Sequence, residues 1–193
     1  MILFLHGAGE RGSDPQRLLR AGLPQRLTHQ PGFPAIVLAP QCPRRTTWLD
    51  HLEAVEGLLD EVVGTLHGDP DRVHVTGLSL GGMGAWLLAT RAPQRFASVV
   101  PICGPVPPLP GFPAAVGALQ SVAVWAFHGI EDPMVSVRHT LAMVDVLERA
   151  GGRPRVTLYA DVGHRAWELA YADPDLGTWF LERTRGLKAR VRP

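Results

Sequence analysis

The sequence predicts an α/β protein: a mostly parallel sheet of about six strands with helices on both faces. Two observations predict it. Short apolar runs recur along the chain, each stopping at a glycine or a turn. Between them lie stretches whose apolar residues follow the 3.6-residue helical period.

The first run, Met1-Ile2-Leu3-Phe4-Leu5, has no basic segment before it and passes directly into His6-Gly7, so it reads as a core strand rather than a signal peptide. Residues 35–39 are bracketed by Pro34 and Pro40, which restricts them to an edge strand. Residues 72–76 alternate around Val73 and Val75 before Gly77, and residues 96–102 run unbroken to Cys103-Gly104. Residues 122–127 stop at His128-Gly129, and residues 155–159 alternate before Asp161-Val162-Gly163. Unbroken apolar runs suit strands covered on both faces.

The helical patterns fall between these strands. Thr46 or Thr47 offers an N-cap for a helix carrying Leu49, Leu52, Val55, Leu58, Leu59, Val62 and Val63 on one face. Residues 82–92 form a small, closely packing helix ended by Pro93. Residues 137–150 are amphipathic and end at Gly151-Gly152, and residues 174–185 close the chain as a helix. Residues 105–113, rich in proline and glycine, are too short and stiff to make a lid.

At 193 residues, residues 1–193 are read as one domain. Hydrophobic residues at 46% and charged residues at 19% fit an ordinary soluble chain, and a formal net charge of +1 argues against a nucleic-acid partner. The only basic concentration is the C-terminal Arg183, Arg185, Lys188, Arg190 and Arg192, read as a solvated tail. No apolar run approaches the roughly 20 residues that span a bilayer. Two cysteines, Cys42 and Cys103, make no disulfide scaffold, so free thiols in a cytoplasmic protein are expected.

Gly77-Leu78-Ser79-Leu80-Gly81 matches G-x-S-x-G, the nucleophile elbow. It follows a valine-rich strand and opens a helix, which is the context that motif requires. A serine hydroxyl attacks only when a base takes its proton, and the base needs an acid to orient it. In this architecture the chain order is serine, acid, histidine. Of the histidines beyond Ser79, His164 sits in a loop after the last strand. His128 ends a strand as a structural residue, and His139 falls at a helix start, on the surface. Asp132 follows the penultimate strand and is the acid, with Glu131 as its rival and Asp161 read as a turn cap. The oxyanion hole falls to the backbone N–H of Leu80 and, in His6-Gly7-Ala8-Gly9, that of Ala8.

Taken together, residues 5–12 (Leu5-His6-Gly7-Ala8-Gly9-Glu10-Arg11-Gly12), Ala39-Pro40-Gln41-Cys42-Pro43 and residues 69–82 resemble the bacterial phospholipase/carboxylesterase-like α/β hydrolases, relatives of dienelactone-hydrolase and polyhydroxybutyrate-depolymerase-like esterases. Residues 96–104, His128-Gly129 with Asp132, and Gly163-His164 with Trp167 and Tyr171 extend the resemblance over almost the whole chain. It implies an α/β-hydrolase fold, and the chain departs from the larger members in that Met1 already begins the strand leading to the oxyanion loop, so a minimal sheet is expected that starts late, N-terminal strands missing. It also implies a serine carboxylesterase with the triad Ser79, Asp132 and His164; the absence of a lid and the small size favour small, short-acyl esters, and the triad chemistry calls for no cofactor and no metal. Thioester, peptide or acyl-transfer chemistry on the same triad, or a non-catalytic binding protein, are the alternatives. The resemblance puts Gln41 and Trp48 near the pocket and Trp167 beside His164. Two readings stand for each: substrate contact, or loop cap for Gln41 and core side chain for the tryptophans. With the late start, strand 35–39 becomes an apolar edge, to be covered by a homodimer contact or by the 31–34 loop.

Overall fold

A computed structural model describes residues 1–30 and 32–186. Six strands form one all-parallel sheet in the order β2-β1-β3-β4-β5-β6. They are β1 (Ile2–Leu5), β2 (Val37–Leu38), β3 (His74–Leu78), β4 (Ser98–Ile102), β5 (Ala123–Gly129) and β6 (Arg155–Tyr159). The helices are α1 (Gly22–Leu27), α2 (Leu52–Thr65), α3 (Leu80–Arg91), α4 (Arg138–Arg149), α5 (Trp167–Ala170) and α6 (Pro174–Glu182). This is the minimal α/β-hydrolase fold that the sequence predicts.

Successive residues of each strand point to opposite faces, and in β1, β4 and β5 both faces are buried, hence the unbroken runs there. Leu3, Leu5, Val75, Val99 and Val124 pack with Trp86 of α3, Val55 and Leu59 of α2, and Met143 and Leu147 of α4. Ile2, Phe4, Val100, Ile102, Trp125 and Phe127 pack on the other face with Leu23 of α1 and Trp179 and Phe180 of α6. Burying one such side chain stabilises the fold by about 1.5–3 kcal/mol.

Strand order and register position the site. The pairs Leu5↔Gly77, Leu78↔Ile102 and Gly129↔Tyr159 align the strands' C-terminal ends along one rim of the sheet. From β1 the chain crosses to β2 on one side, then returns to β3 on the other. The crevice between β1 and β3 is therefore the topological switch point, where α/β sheets bind their ligands. His6-Gly7-Ala8 and Ser79 emerge there.

Several boundaries differ from the sequence reading. β3 runs two residues later than 72–76, because Asp69 caps a 3₁₀ turn at Pro70–Arg72 and the strand continues to the Ser79 turn. The helix expected at 82 begins at Leu80. Thr47 does cap, through a capping box with Asp50, but it heads a 3₁₀ turn (Trp48–His51) that leads into α2. α1 was hidden by Gly22 and Pro24, which read as breakers although proline is tolerated in a first helical turn.

The edge expected at residues 35–39 shrinks to the two residues of β2, paired to Ile2 and Leu3. So short an edge offers little to another chain. Phe33, Ala35, Val37 and Ala39 pack partly against the α6-side core. Residues 105–113 lead into a 3₁₀ helix, Ala114–Leu119, whose Val116 and Leu119 are buried in the core.

At the C-terminus, α6 stops at Glu182. Arg183 lies 3.1 Å over the Trp179 ring, and Arg185 pairs with Asp71 at 2.5 Å, so both are docked rather than freely solvated. Lys188, Arg190 and Arg192 lie outside the described residues. No helix among the described residues is long and apolar enough to cross a membrane.

Candidate active site

Ser79 sits between the last residue of β3 and the first of α3, with φ 53° and ψ −115°. That backbone is costly for a residue with a Cβ and needs its surroundings to hold it. The flanking glycines provide the packing rather than the unusual angle. A Cβ on Gly77 would fall 2.3 Å from the Gly81 carbonyl oxygen, and one on Gly81 would fall 1.8 Å from that of Leu5. Only two bare backbones let the turn close against the end of β1.

His164, in the loop after β6, reaches the serine: its Nε2 is 2.9 Å from Ser79 Oγ. Its Nδ1 lies 2.7 Å from Asp132 Oδ2. A carboxylate accepts, so Nδ1 carries the proton and Nε2 presents a lone pair to the serine hydroxyl. The Asp132 side chain is fully buried, and its Oδ1 accepts the N–H groups of Met134 and Val135, both at 2.9 Å. Burial alone would raise the Asp132 pKa. The hydrogen bonds from His164, Val135 and Met134 outweigh it and leave the carboxyl below its ordinary value. Glu131, the rival acid, points to solvent.

His128 supports that carboxylate from behind. Its Nε2–H donates to the Val135 carbonyl at 2.8 Å and lies 3.3 Å from Asp132 Oδ2, while Nδ1 accepts from Thr140 Oγ1 at 2.7 Å. Burial pushes its pKa down, so the ring is neutral. Cys103, His128 and Asp132 lie close enough together to suggest a metal cluster. Their chemistry fits one poorly: the His128 Nε2 is a donor, Asp132 Oδ2 holds His164, and burial pushes the Cys103 thiol up to about 12.

The N–H groups of Ala8 and Leu80 head helical turns, where no intrahelical acceptor exists. Neither donates to a loop carbonyl or a side chain among the described residues. Trp167 meets the His164 ring edge-on, with centroids 5.3 Å apart at 89°. It also borders an open crevice of about 230 Å³ with Gly22, Gln25, Arg26, His29, Glu168 and Tyr171. A second crevice, about 90 Å³, lies between α1 and α6. Neither is lined by Ser79, Asp132 or His164.

The other sequence candidates take different positions. Trp48 is 1% exposed and its indole N–H donates to the His6 carbonyl at 3.0 Å, so it is a core anchor and not a pocket wall. The Gln41 amide donates to the carbonyls of Glu10 (2.7 Å) and Asp14 (3.0 Å), which makes it a loop cap. Asp161 is exposed and caps nothing among the described residues. His139 is half-buried rather than on the surface, its Nδ1 accepting the Val106 N–H at 3.1 Å. Sequence reasoning missed the buried partners of the site, His6 and Thr140. The His-Gly pair after β1 was visible, but nothing in it told where the ring would point.

A six-stranded parallel sheet with a strained serine at its switch point defines the class of α/β hydrolases. Within that class the chain belongs to the esterase family: the family described as "Putative esterase" matches residues 28–192. A curated relative, "Putative esterase NocK" of Nocardia uniformis subsp. tsuyamanensis, is 35% identical over 83 residues, 43% of this chain and 23% of that protein. The crystal structure of a thermostable esterase superposes with a TM-score of 0.84 at 30% identity, covering 95% of this chain and 54% of that one. The chain thus spans only part of these two relatives. A "Putative Dienelactone Hydrolase from Klebsiella pneumoniae subsp. pneumoniae MGH 78578" shares the fold, at 18% identity and a TM-score of 0.68 over 94% of this chain and 86% of its own.

Proposed function

We propose that the chain is a serine carboxylesterase with Ser79 as nucleophile, His164 as general base and acid, and Asp132 as the group that orients the imidazole. The observation that carries this reading is the continuous hydrogen-bond path from Ser79 Oγ through His164 to Asp132, at 2.9 and 2.7 Å. Membership of the esterase family supports the choice of bond.

His164 Nε2 takes the hydroxyl proton as Ser79 Oγ attacks the ester carbonyl. Negative charge gathers on the carbonyl oxygen, where the N–H groups of Ala8 and Leu80 stabilise it. One such donor is worth about 2.7–4 kcal/mol. The imidazolium, held by Asp132, returns its proton to the leaving alcohol. Water, activated by the neutral imidazole, then releases the acid and regenerates Ser79.

Small, short-acyl esters are the proposed substrates. Neither crevice is lined by the serine, and the segment between β4 and β5 is short and anchored in the core through Val116 and Leu119. Trp167 is the proposed wall beside the bound ester. The test is labelling with a fluorophosphonate probe, plus a p-nitrophenyl ester series from acetate to palmitate alongside thioesters and peptide anilides. Wild type should label and prefer acetate or butyrate, and Ser79→Ala should do neither. A folded wild type that is neither labelled nor active makes the chain a binding protein. A preference for thioesters or anilides reassigns the bond.

A further inference from the structure

The loop that carries Ala8 is held by a side chain with no part in the proton path. A peptide unit is planar and trans, so the C=O of residue 7 and the N–H of residue 8 point in opposite directions. Whatever fixes the Gly7 carbonyl therefore fixes the direction of the Ala8 N–H. Residue 7 is glycine, and a Cβ there would fall 2.7 Å from Leu78 Cδ1, so any side chain would have to displace that buried leucine methyl. Glycine leaves this peptide unit free to turn over, since no Cβ penalises the alternative angles. The orientation needs an outside hold.

The His6 ring supplies it. Its Nδ1 lies 2.6 Å from the Gly7 carbonyl oxygen, which can only accept, so Nδ1 carries the proton. Nε2 then holds a lone pair, and the Cys42 N–H donates into it at 2.9 Å. The ring is fully buried and meets Trp48 edge-on at 4.9 Å, while the Trp48 indole N–H grips the His6 carbonyl at 3.0 Å. The Cys42 segment is tied back in turn: the Gly12 N–H donates to the Cys42 carbonyl at 3.0 Å, and Gln41 clamps the carbonyls of Glu10 and Asp14. Position, tautomer and backing of the ring are each determined by a separate contact.

We propose that His6 is a positioning residue for the oxyanion hole, setting the direction of the Ala8 N–H through the shared Gly7–Ala8 peptide plane. This rests on the esterase reading above. Trp48, Gln41 and the Cys42 N–H form the frame that keeps His6 in place.

Two variants of the full chain separate the two nitrogens. In His6→Asn the amide N–H stands at the Nδ1 position and keeps a donor for the Gly7 carbonyl. In His6→Gln the amide reaches the Nε2 position, accepting from Cys42 while the Gly7 carbonyl loses its donor. Each is measured per folded protein for kcat and KM on p-nitrophenyl acetate. The affinity for an aryl trifluoromethyl ketone, whose serine adduct carries an oxyanion, is measured alongside. His6→Gln should lose on the order of 10²- to 10³-fold in kcat, with a matching loss of ketone affinity and KM within about twofold. His6→Asn should stay within about tenfold of wild type.

Equal losses in both variants that track only their thermal stability overturn the proposal, as does a His6→Gln variant with wild-type kcat. If either variant fails to fold, ¹⁵N spectra of wild type decide. A neutral His6 protonated at Nδ1 supports the assignment, and an Nε2-protonated or cationic ring at neutral pH overturns it. An inert wild type removes the esterase reading and this one together, whereas an active wild type with indifferent variants removes only this one.

Discussion

Replacing Gly81 by alanine probes how tightly the Ser79 turn is built. The new Cβ would lie 1.8 Å from the Leu5 carbonyl oxygen, 2.4 Å from the Leu5 carbonyl carbon and 2.7 Å from the His6 carbonyl oxygen. All three atoms are backbone, so no side chain can swing aside. The start of α3 and the end of β1 must part by on the order of 1 Å, and both carry groups of the site. Overpacking of an interior costs about 1–3 kcal/mol, and backbone against backbone belongs at the upper end. At roughly 2–4 °C per kcal/mol for a chain of this size, the midpoint should fall by about 6–12 °C. A displacement of that order at the reacting groups should slow acylation about 100-fold. Gly57→Ala is the control: it lies in α2 with nothing within 4 Å of its would-be Cβ, and it should gain about 0.4–1 kcal/mol. Thermal unfolding followed by circular dichroism, with fluorophosphonate labelling rates per folded protein, reads both effects. A Gly81→Ala protein that unfolds and labels like wild type would refute the close-approach argument.

Other outcomes follow from single residues. Ser79→Gly relieves the positive φ and should raise stability by about 1–2 kcal/mol, the ~1–3 kcal/mol of such backbone strain less the ~0.5–1 kcal/mol that glycine's freedom in the unfolded chain costs, whereas Ser79→Ala keeps the strained backbone and stays near wild type; equal gains in calorimetry would assign the strain to the hydroxyl. Asp132→Asn should cut kcat on p-nitrophenyl acetate by about 10⁴-fold, as the same change does in a serine-protease triad, and a loss below tenfold would remove Asp132 from the orienting role. Burial drives the His74 pKa from 6.5 to about 3, so between those values the unfolded chain binds a proton that the folded chain does not. That stability is complete above 6.5 and is lost as the pH falls toward 3, with His6 and His128, both lowered by burial, acting in the same direction. His74→Asn should flatten the fall of the urea midpoint with acid, and an unaltered slope would contradict the assignment. With its thiol pushed up to about 12 by burial, Cys103 should resist iodoacetamide at pH 8 until urea is added; rapid alkylation of Cys103 in the folded protein would contradict its burial.

Much of this molecule could be read in one dimension. Strand and helix alternation is local, written in apolar period and in glycine and proline stops, so the parallel sheet and all six of its strands were legible to within two residues. Ser79, Asp132 and His164 were legible as candidates because a turn motif and a chain order announce them. Tertiary structure alone decided where side chains without such a motif point. Trp48 and Gln41 read equally as pocket residues or as scaffold, and the fold turns both toward the backbone of the Ala8 loop. His6 carried no sign of its role, because that role depends on a carbonyl one residue away and an N–H at Cys42 on another loop. The glycines of the Ser79 turn were expected from a motif, but the reason they are needed, the Leu5 carbonyl against Gly81, is set by β1 lying beside β3. Patterns along a chain encode which face is buried, whereas the partner across a gap is chosen only when distant segments close on each other.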